Sequence, residues 1–279
     1  MRRVTAKTMS GVAVADRVRS KVAVIASELA AEGGPVRLTV ISTADQSATS
    51  RLRHFTALAH SSNVGVDVLD LGASADRHTV VSALRSLETD PRIHGVVLFG
   101  RPAPEPPGVV DDTIALFEEA RTDRLKDVAS TAGVPVTVLA LQLVLDHCGL
   151  DLRGKDTVLA ARSRILDEHM PRVLERQGAT VRLDTGWSAD GRPRAEGVDV
   201  LIRTEDSEAD PSLNPGAVVL DASTHALGAG PTVGASADVF PQATAVFPFR
   251  EAAEPVTQAL LLRNAVHAAA PHLPRCNCT

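Results

Sequence analysis

Two short clusters of basic residues are the parts of this sequence best equipped for chemistry. Arg51, Arg53 and His54 fall within four positions, and Arg162, Ser163 and Arg164 are consecutive. A guanidinium grips a carboxylate or phosphate through two parallel hydrogen bonds, so both clusters suit an anion. Solvated surface arginine accounts for them equally well, and both readings stay open. His54 and His169 belong to the type that titrates near neutral pH; only His169 has acids beside it in the chain, Asp167 and Glu168. The other histidines show no ligand spacing, so no metal site is expected. Ser163 lies in Ala-Arg-Ser-Arg rather than a Gly-x-Ser-x-Gly elbow, which leaves a hydrolase triad unsupported. Asp111-Asp112 and Glu118-Glu119 read as solvated helix faces. Cys148 stands in an apolar stretch and reads as a buried small hydrophobe. Cys276 and Cys278 form a Cys-Asn-Cys tail, and two thiols alone do not complete a tetrahedral zinc site.

Composition narrows the classes that could use these residues. The chain has 279 residues, 44% of them hydrophobic and 23% charged, which is globular usage. Aromatics are 3% and the net charge is -5, which argue against base-stacking platforms and a basic field for nucleic acid. The start, MRRVTAKTMSG, lacks an apolar leader, and the apolar run from Val136 to Leu145 is too short to span a bilayer. A cytoplasmic protein with neither nucleic-acid nor membrane partners is expected.

The elements that must position the clusters alternate. Val14, Val18, Val22, Ile25 and Leu29 predict a first helix ending at Gly33-Gly34. Strands are expected at 35–42, 64–72 and 93–100, with helices at 44–63 and 75–90. RPAPEPP, at 101–107, must be a loop or an extended connection. Helices follow at 109–120 and 134–149. A strand from Lys155, a helix to Gln177, strands at ATVRLDT, 198–204 and 217–223, and a helix at 254–270 complete the chain. Alternation throughout implies parallel sheets. Ligands of such sheets sit beyond the strands' carboxyl ends, so the positions after Ser42, Phe99, Ala161 and Arg203 deserve inspection.

Several segments, in order, resemble one family. They are SGVAVADRVRSKV near the start, DPRIHGVVLFGRPAPEP at 90–106, LKDV at 125–128, PVTVLALQLVLDHCGLDLRGK at 135–155, PGAVVLDAS at 215–223 and EPVTQALLLRN at 254–264. Over nearly its whole length the chain is similar to the bifunctional methylenetetrahydrofolate dehydrogenase/cyclohydrolases. The resemblance implies a two-lobed α/β fold: an N-terminal catalytic-type lobe, a Rossmann-like NAD(P)-type lobe, and a cleft between them for reduced folate. It implies a first lobe of residues 1–133 joined by the C-terminal helix and tail, 254–279, and a second lobe of 134–253. It also implies a homodimer.

That family carries Ser-x-x-Tyr-x-x-x-Lys on the second helix, Gly-x-x-x-Gln on the third strand and Lys-Asp-Val-Asp-Gly further on. Its lysine handles protons, its tyrosine stacks on the pterin, its glutamine supports the lysine and its second aspartate grips the pterin. Matching these patterns places Ser50 on the serine, Arg53 on the tyrosine, Ala57 on the lysine, Phe99 on the glutamine and Ala129 on the second aspartate. Registering instead on the following Pro-x-Pro puts Gly100 at the glutamine. Ala and Phe carry no protons. Residues 44–65 contain no lysine, and the whole chain has no tyrosine.

The family's phosphate-binding turn, Gly-Arg-Ser-x-x-Val-Gly-x-Pro, matches Ala161 to His169. Arg162 and Ser163 are retained, and Arg164 follows them; Asp167 and Glu168 add negative charge where a phosphate would sit. Glu205, Asp206, Glu208 and Asp210 crowd the stretch where the family places a small loop. NADP is therefore not expected. The family's late glycine loop matches Pro248 to Thr257, without a glycine but with Pro255 and Thr257 in place.

The expectation is a divergent relative that has lost both parent reactions and keeps a cleft for a tetrahydrofolate derivative or another small anion. Its candidate contacts are Ser50, Arg53, His54, Phe99, Arg101, Lys126 and Arg250, with Arg162, Ser163 and Arg164 as weaker ones. No catalytic residue is assigned. Two alternatives stand beside this: an enzyme still running both reactions with unusual residues, and an interaction protein that pairs with an intact homologue.

Overall fold

The computed structural model describes residues 7–43, 49–100, 102–103, 113–120, 126–131, 134–160, 164–183, 196–203, 212–221 and 242–270. In chain order the elements are β1 (Lys7–Thr8), α1 (Val12–Glu32), β2 (Val36–Ser42), α2 (Thr49–Ser61), β3 (Val64–Asp70), α3 (Arg77–Glu88), β4 (Gly95–Phe99), α4 (Thr113–Ala120), β5 (Lys126–Asp127), β6 (Ser130–Thr131), β7 (Val134–Pro135), α5 (Val136–His147), β8 (Asp156–Ala160), α6 (Arg164–Arg176), β9 (Thr180–Leu183), β10 (Glu196–Arg203), β11 (Ser212–Asp221), β12 (Ala243–Phe247) and α7 (Ala253–Ala269). They fall into two compact units: Ala15–Val136, His225–Pro231 and Gln258–Thr279 in the first, and Met1–Val14, Thr137–Thr224 and Thr232–Thr257 in the second.

The first unit holds a four-stranded sheet in the order β3-β2-β4-β5, with every pair parallel. β4 is buried at all five positions, as a strand covered on both faces must be. Alternation along the strands sends Ile41, Val96 and Leu98 into a cluster with α3 and α4, through Val80, Val81, Leu84, Leu116 and Phe117. Phe99 points the other way and meets Phe55 of α2. Asp76 caps α3, its carboxylate accepting the Thr79 N–H at 2.8 Å. β3, at the sheet edge, exposes Val68 and Asp70.

The second unit holds a six-stranded sheet in the order β1-β12-β11-β10-β8-β9, again all parallel. Val158, Leu201, Val219 and Val246 form one apolar layer on it. Asp199 stitches three strands, accepting from the Asp156 N–H at 3.0 Å and from Asn214 Nδ2 at 2.9 Å. Gly11, just after β1, is required there: a Cβ would lie 1.9 Å from the Ala252 carbonyl oxygen.

The alternating α/β architecture with parallel sheets is as the sequence implies. β12 and β1 have no counterpart in the sequence reading. The expected helix at 134–149 begins at Val136, after the short strand β7, and ends at His147. Cys148 follows that helix and is half-buried rather than buried.

Candidate functional site

In the first unit, β3 and β5 flank the inner pair β2 and β4, so the chain leaves these two in opposite directions. The crevice beyond such a pair's carboxyl ends is where parallel sheets take ligands. Thr43 stands there: its N–H donates to the Phe99 carbonyl at 2.8 Å.

Helix α2 supplies the side chains nearest in sequence. Phe55 and Ala59, both fully buried, fix its inward stripe at four-residue spacing. Ser50, Arg53, His54 and Ala57 consequently fall on the opposite stripe, and all four are exposed. The structure thus gathers four of the residues singled out by pattern on one solvent-facing surface, with no amine among them. Arg51 differs from its neighbours. It is half-buried, and its terminal Nη2 is shut from solvent without a hydrogen-bond partner.

Phe99 lies elsewhere. It is 1% exposed, with its ring centroid 5.4 Å from that of Phe55 at a 39° tilt. This is aromatic core packing. The glycine that opens the same motif, Gly95, is fixed by packing as well, since a Cβ would meet Val128 Cγ1 at 2.4 Å. Lys126, Lys155 and Arg250 are exposed. Arg101, Arg162 and Ser163 lie outside the described residues; Arg164 opens α6, with its side chain outside them too.

Asp127 escaped the sequence reading, where it passed as the surviving part of LKDV. It lies in register with Val96. Its Oδ1 accepts the Ala129 N–H at 2.9 Å, and its Oδ2 is buried with no partner. Burial pushes the carboxyl up to about 6, against the pull of the Ala129 N–H. The segment after it is anchored to α7, where Asn264 Nδ2 donates to the Val128 carbonyl at 2.8 Å and the Ser130 carbonyl at 3.2 Å.

In the second unit the corresponding inner pair is β8 and β10, ending in register at Ala160 and Arg203. Arg203 is 9% exposed, and a charged residue closing the mostly apolar strand VDVLI was its sequence signal. Asp167 occupies the first turn of α6; its Oδ1 is buried without a partner, and burial raises its carboxyl. Glu168 is exposed and His169 is half-buried. Among the described residues no three His, Cys, Asp or Glu side chains are grouped to hold a metal, and no helix is long and apolar enough to cross a membrane.

Comparison with known proteins bears on these features. Residues 135–273 match the family model described as tetrahydrofolate dehydrogenase/cyclohydrolase, NAD(P)-binding domain. The chain is 28% identical to the Bifunctional protein FolD 1 of Rhodococcus jostii, over 94% of this chain and 93% of that protein. It is 27% identical to the Bifunctional protein FolD 1 of Saccharopolyspora erythraea, over 96% of each. Among solved structures, the FolD methylenetetrahydrofolate dehydrogenase/cyclohydrolase of Campylobacter jejuni superposes with a TM-score of 0.71 at 20% identity, covering 96% of this chain and all of that one.

Proposed function

Because this chain belongs to the tetrahydrofolate dehydrogenase/cyclohydrolase family, we propose that it has left the family's two reactions and binds a small anionic molecule with the remodelled first unit. The observation that carries this is Phe99. Where the family pattern has a glutamine to support a proton-handling lysine, this chain has a phenylalanine packed into the core against Phe55. Its supposed client is missing as well, since Ala57 is an exposed methyl on a helix without lysine. A proton relay needs groups that exchange protons within hydrogen-bond reach, and neither position supplies one.

The second unit supports the same reading. A pyrophosphate seated at the start of α6 would meet Asp167, which already holds an unpartnered oxygen in that turn. The described residues fit a dinucleotide poorly there, and no step is routed through one.

The deciding assay offers the protein NADP with methylenetetrahydrofolate, and separately the methenyl form for hydrolysis. Neither should turn over above background. Turnover near the enzyme median of ~10 per second in either assay would overturn this reading, and turnover in both would restore the one in which both reactions persist, which the end-to-end likeness to bifunctional proteins favours. If the ligand is a folate, tetrahydrofolate should raise the melting temperature without being consumed.

A further inference from the structure

β2 and β4 begin their regular pairing at Leu38 and Gly95. One residue earlier, a side chain stands in for backbone. The His94 N–H donates to the Arg37 carbonyl at 3.0 Å, as a parallel ladder requires. The Arg37 N–H would next meet a carbonyl from the stretch before His94, but that stretch turns on itself: the Ile93 N–H donates to the Asp90 carbonyl at 3.2 Å. The Arg37 N–H donates instead to Nδ1 of the His94 ring, at 3.1 Å. A flipped ring would set a carbon against the same N–H, so the hydrogen bond fixes the ring's orientation. Nδ1 accepts only while it carries no proton, which places the neutral ring's proton on Nε2. The imidazolium has donors at both nitrogens and would press one N–H against another.

The charged groups on the elements around this ring are Arg37 on β2, Asp67 on β3, Glu88 on α3, Lys126 on β5, and Asp90 and Arg92 in the turn itself. Four of them are paired. Arg37 donates to Asp67 from Nε at 3.1 Å and from Nη2 at 2.7 Å, and Arg92 donates to Asp90 from Nε at 2.9 Å and from Nη2 at 2.7 Å. Hydrogen bonds from Arg92 hold the Asp90 carboxyl well below the usual carboxylate range. Of these side-chain types, only imidazole ordinarily changes charge between pH 5 and 8. We propose that His94 is a pH-sensitive clasp: its neutral ring fastens the 90–94 turn to the first residues of β2, and protonation releases it. The unclasped ring takes up its proton near the ordinary imidazole value of about 6.5, whereas the clasped ring refuses it. The clasp therefore contributes above that value and is lost as pH falls through it. Acidification loosens the inner strand pair of the first unit at its amino end, the end away from the crevice described above, so the clasp does not depend on the function proposed there.

Amide hydrogen exchange of the full chain, corrected for the pH dependence of free-peptide exchange, tests this. Between about pH 7.5 and 5.5, protection of the Arg37 N–H should fall ~10-fold in the parent, the ratio of ring protonation available to the open form at the two values. His94→Asn offers an amide oxygen in place of Nδ1 and has no proton to gain, so its protection should change by less than ~2-fold. His78→Asn, which removes an exposed histidine of α3, should fall as the parent does. Parent protection that holds steady over this range overturns the clasp, as does a fall in His94→Asn equal to the parent's. Should His94→Asn fail to fold, the parent's ring nitrogens decide: their NMR shifts at about pH 7.5 should report the proton on Nε2 alone, and a proton on Nδ1 overturns the proposal.

Discussion

Helices α2 and α6 occupy equivalent places in two different sheets. Each has 13 residues and begins beyond the carboxyl end of an inner parallel strand, β2 or β8. Each first turn contains an arginine, Arg51 or Arg164, but only that of α6 adds an acid. That of α2 has no acid and contains Arg51, with a buried nitrogen lacking an acceptor. That of α6 contains Asp167, with a buried oxygen lacking a donor. A helix N-terminus favours negative charge. The first turn of α2 therefore leaves its helix end without a negative charge, whereas α6 already carries one of its own. One topology has been given two ligand preferences by a few side chains, which is why a shared fold does not by itself assign a shared activity.

The contrast presumes that the strand end beneath α2 is solid core, so that only the polar rim can bind. Phe99→Ala tests this with the largest effect expected. Removing a ring buried against Phe55 should lower unfolding stability by about 3–5 kcal/mol in urea titration. A loss below about 1 kcal/mol would mean that the ring lines an open cavity, and the two helices could no longer be compared by their first turns alone.

How far the sequence exposes this molecule depends on whether a signal is local. The helices and long strands follow from apolar spacing: Val14, Val18 and Val22 mark the inner stripe of α1, and the run at 95–99 is buried throughout. β1 escapes because it is short. The two residues of β1 have no pattern of their own and gain their pairing from β12, at Lys7 to Ala245 and Thr8 to Val246. In the candidate site, residue identity is legible and environment is not. Arg51 and Arg53 look alike in the sequence; packing alone makes one half-buried and leaves the other in water. The burial of Asp127 comes from its pairing beside β4, some thirty positions away in the chain, which no local pattern reports.

Asp127 sharpens the comparison, because it is a buried acid of the first unit that lies on a strand, β5, rather than in the first turn of a helix. Burial raises its carboxyl to about 6 from 3.8. The native state therefore holds this proton more tightly than the unfolded chain does. Its contribution to stability should be greatest below about pH 4, fall as pH rises towards 6, and stay reduced above that. At 1.36 kcal/mol per pKa unit the deficit is about 3 kcal/mol. Asp127→Asn keeps an acceptor for the Ala129 N–H and removes the charge. It should exceed the parent by about 2–3 kcal/mol at pH 7.5 and match it near pH 3.5, read from unfolding curves at each pH. A pH-independent difference would show that Oδ2 is not paying a desolvation cost.

The smallest effect belongs to Asp167, where two influences oppose. Burial raises its carboxyl, while the N-terminus of α6 favours the ionised form. The net direction is upward, so the charge costs stability once pH exceeds the raised value, and less than at Asp127 because the helix end offsets part of it. Asp167→Asn should therefore melt slightly above the parent at neutral pH, with the gap closing on acidification as both states become protonated. Its sharper use is against the comparison itself. Asp167→Asn leaves α6 with a first turn as free of acid as that of α2. Phosphate affinity, read by calorimetric titration, should then rise ~2–5-fold, the equivalent of the 0.3–1 kcal/mol by which a helix terminus favours an anion. Unchanged affinity would show that the absence of the acid is not what distinguishes the two helices.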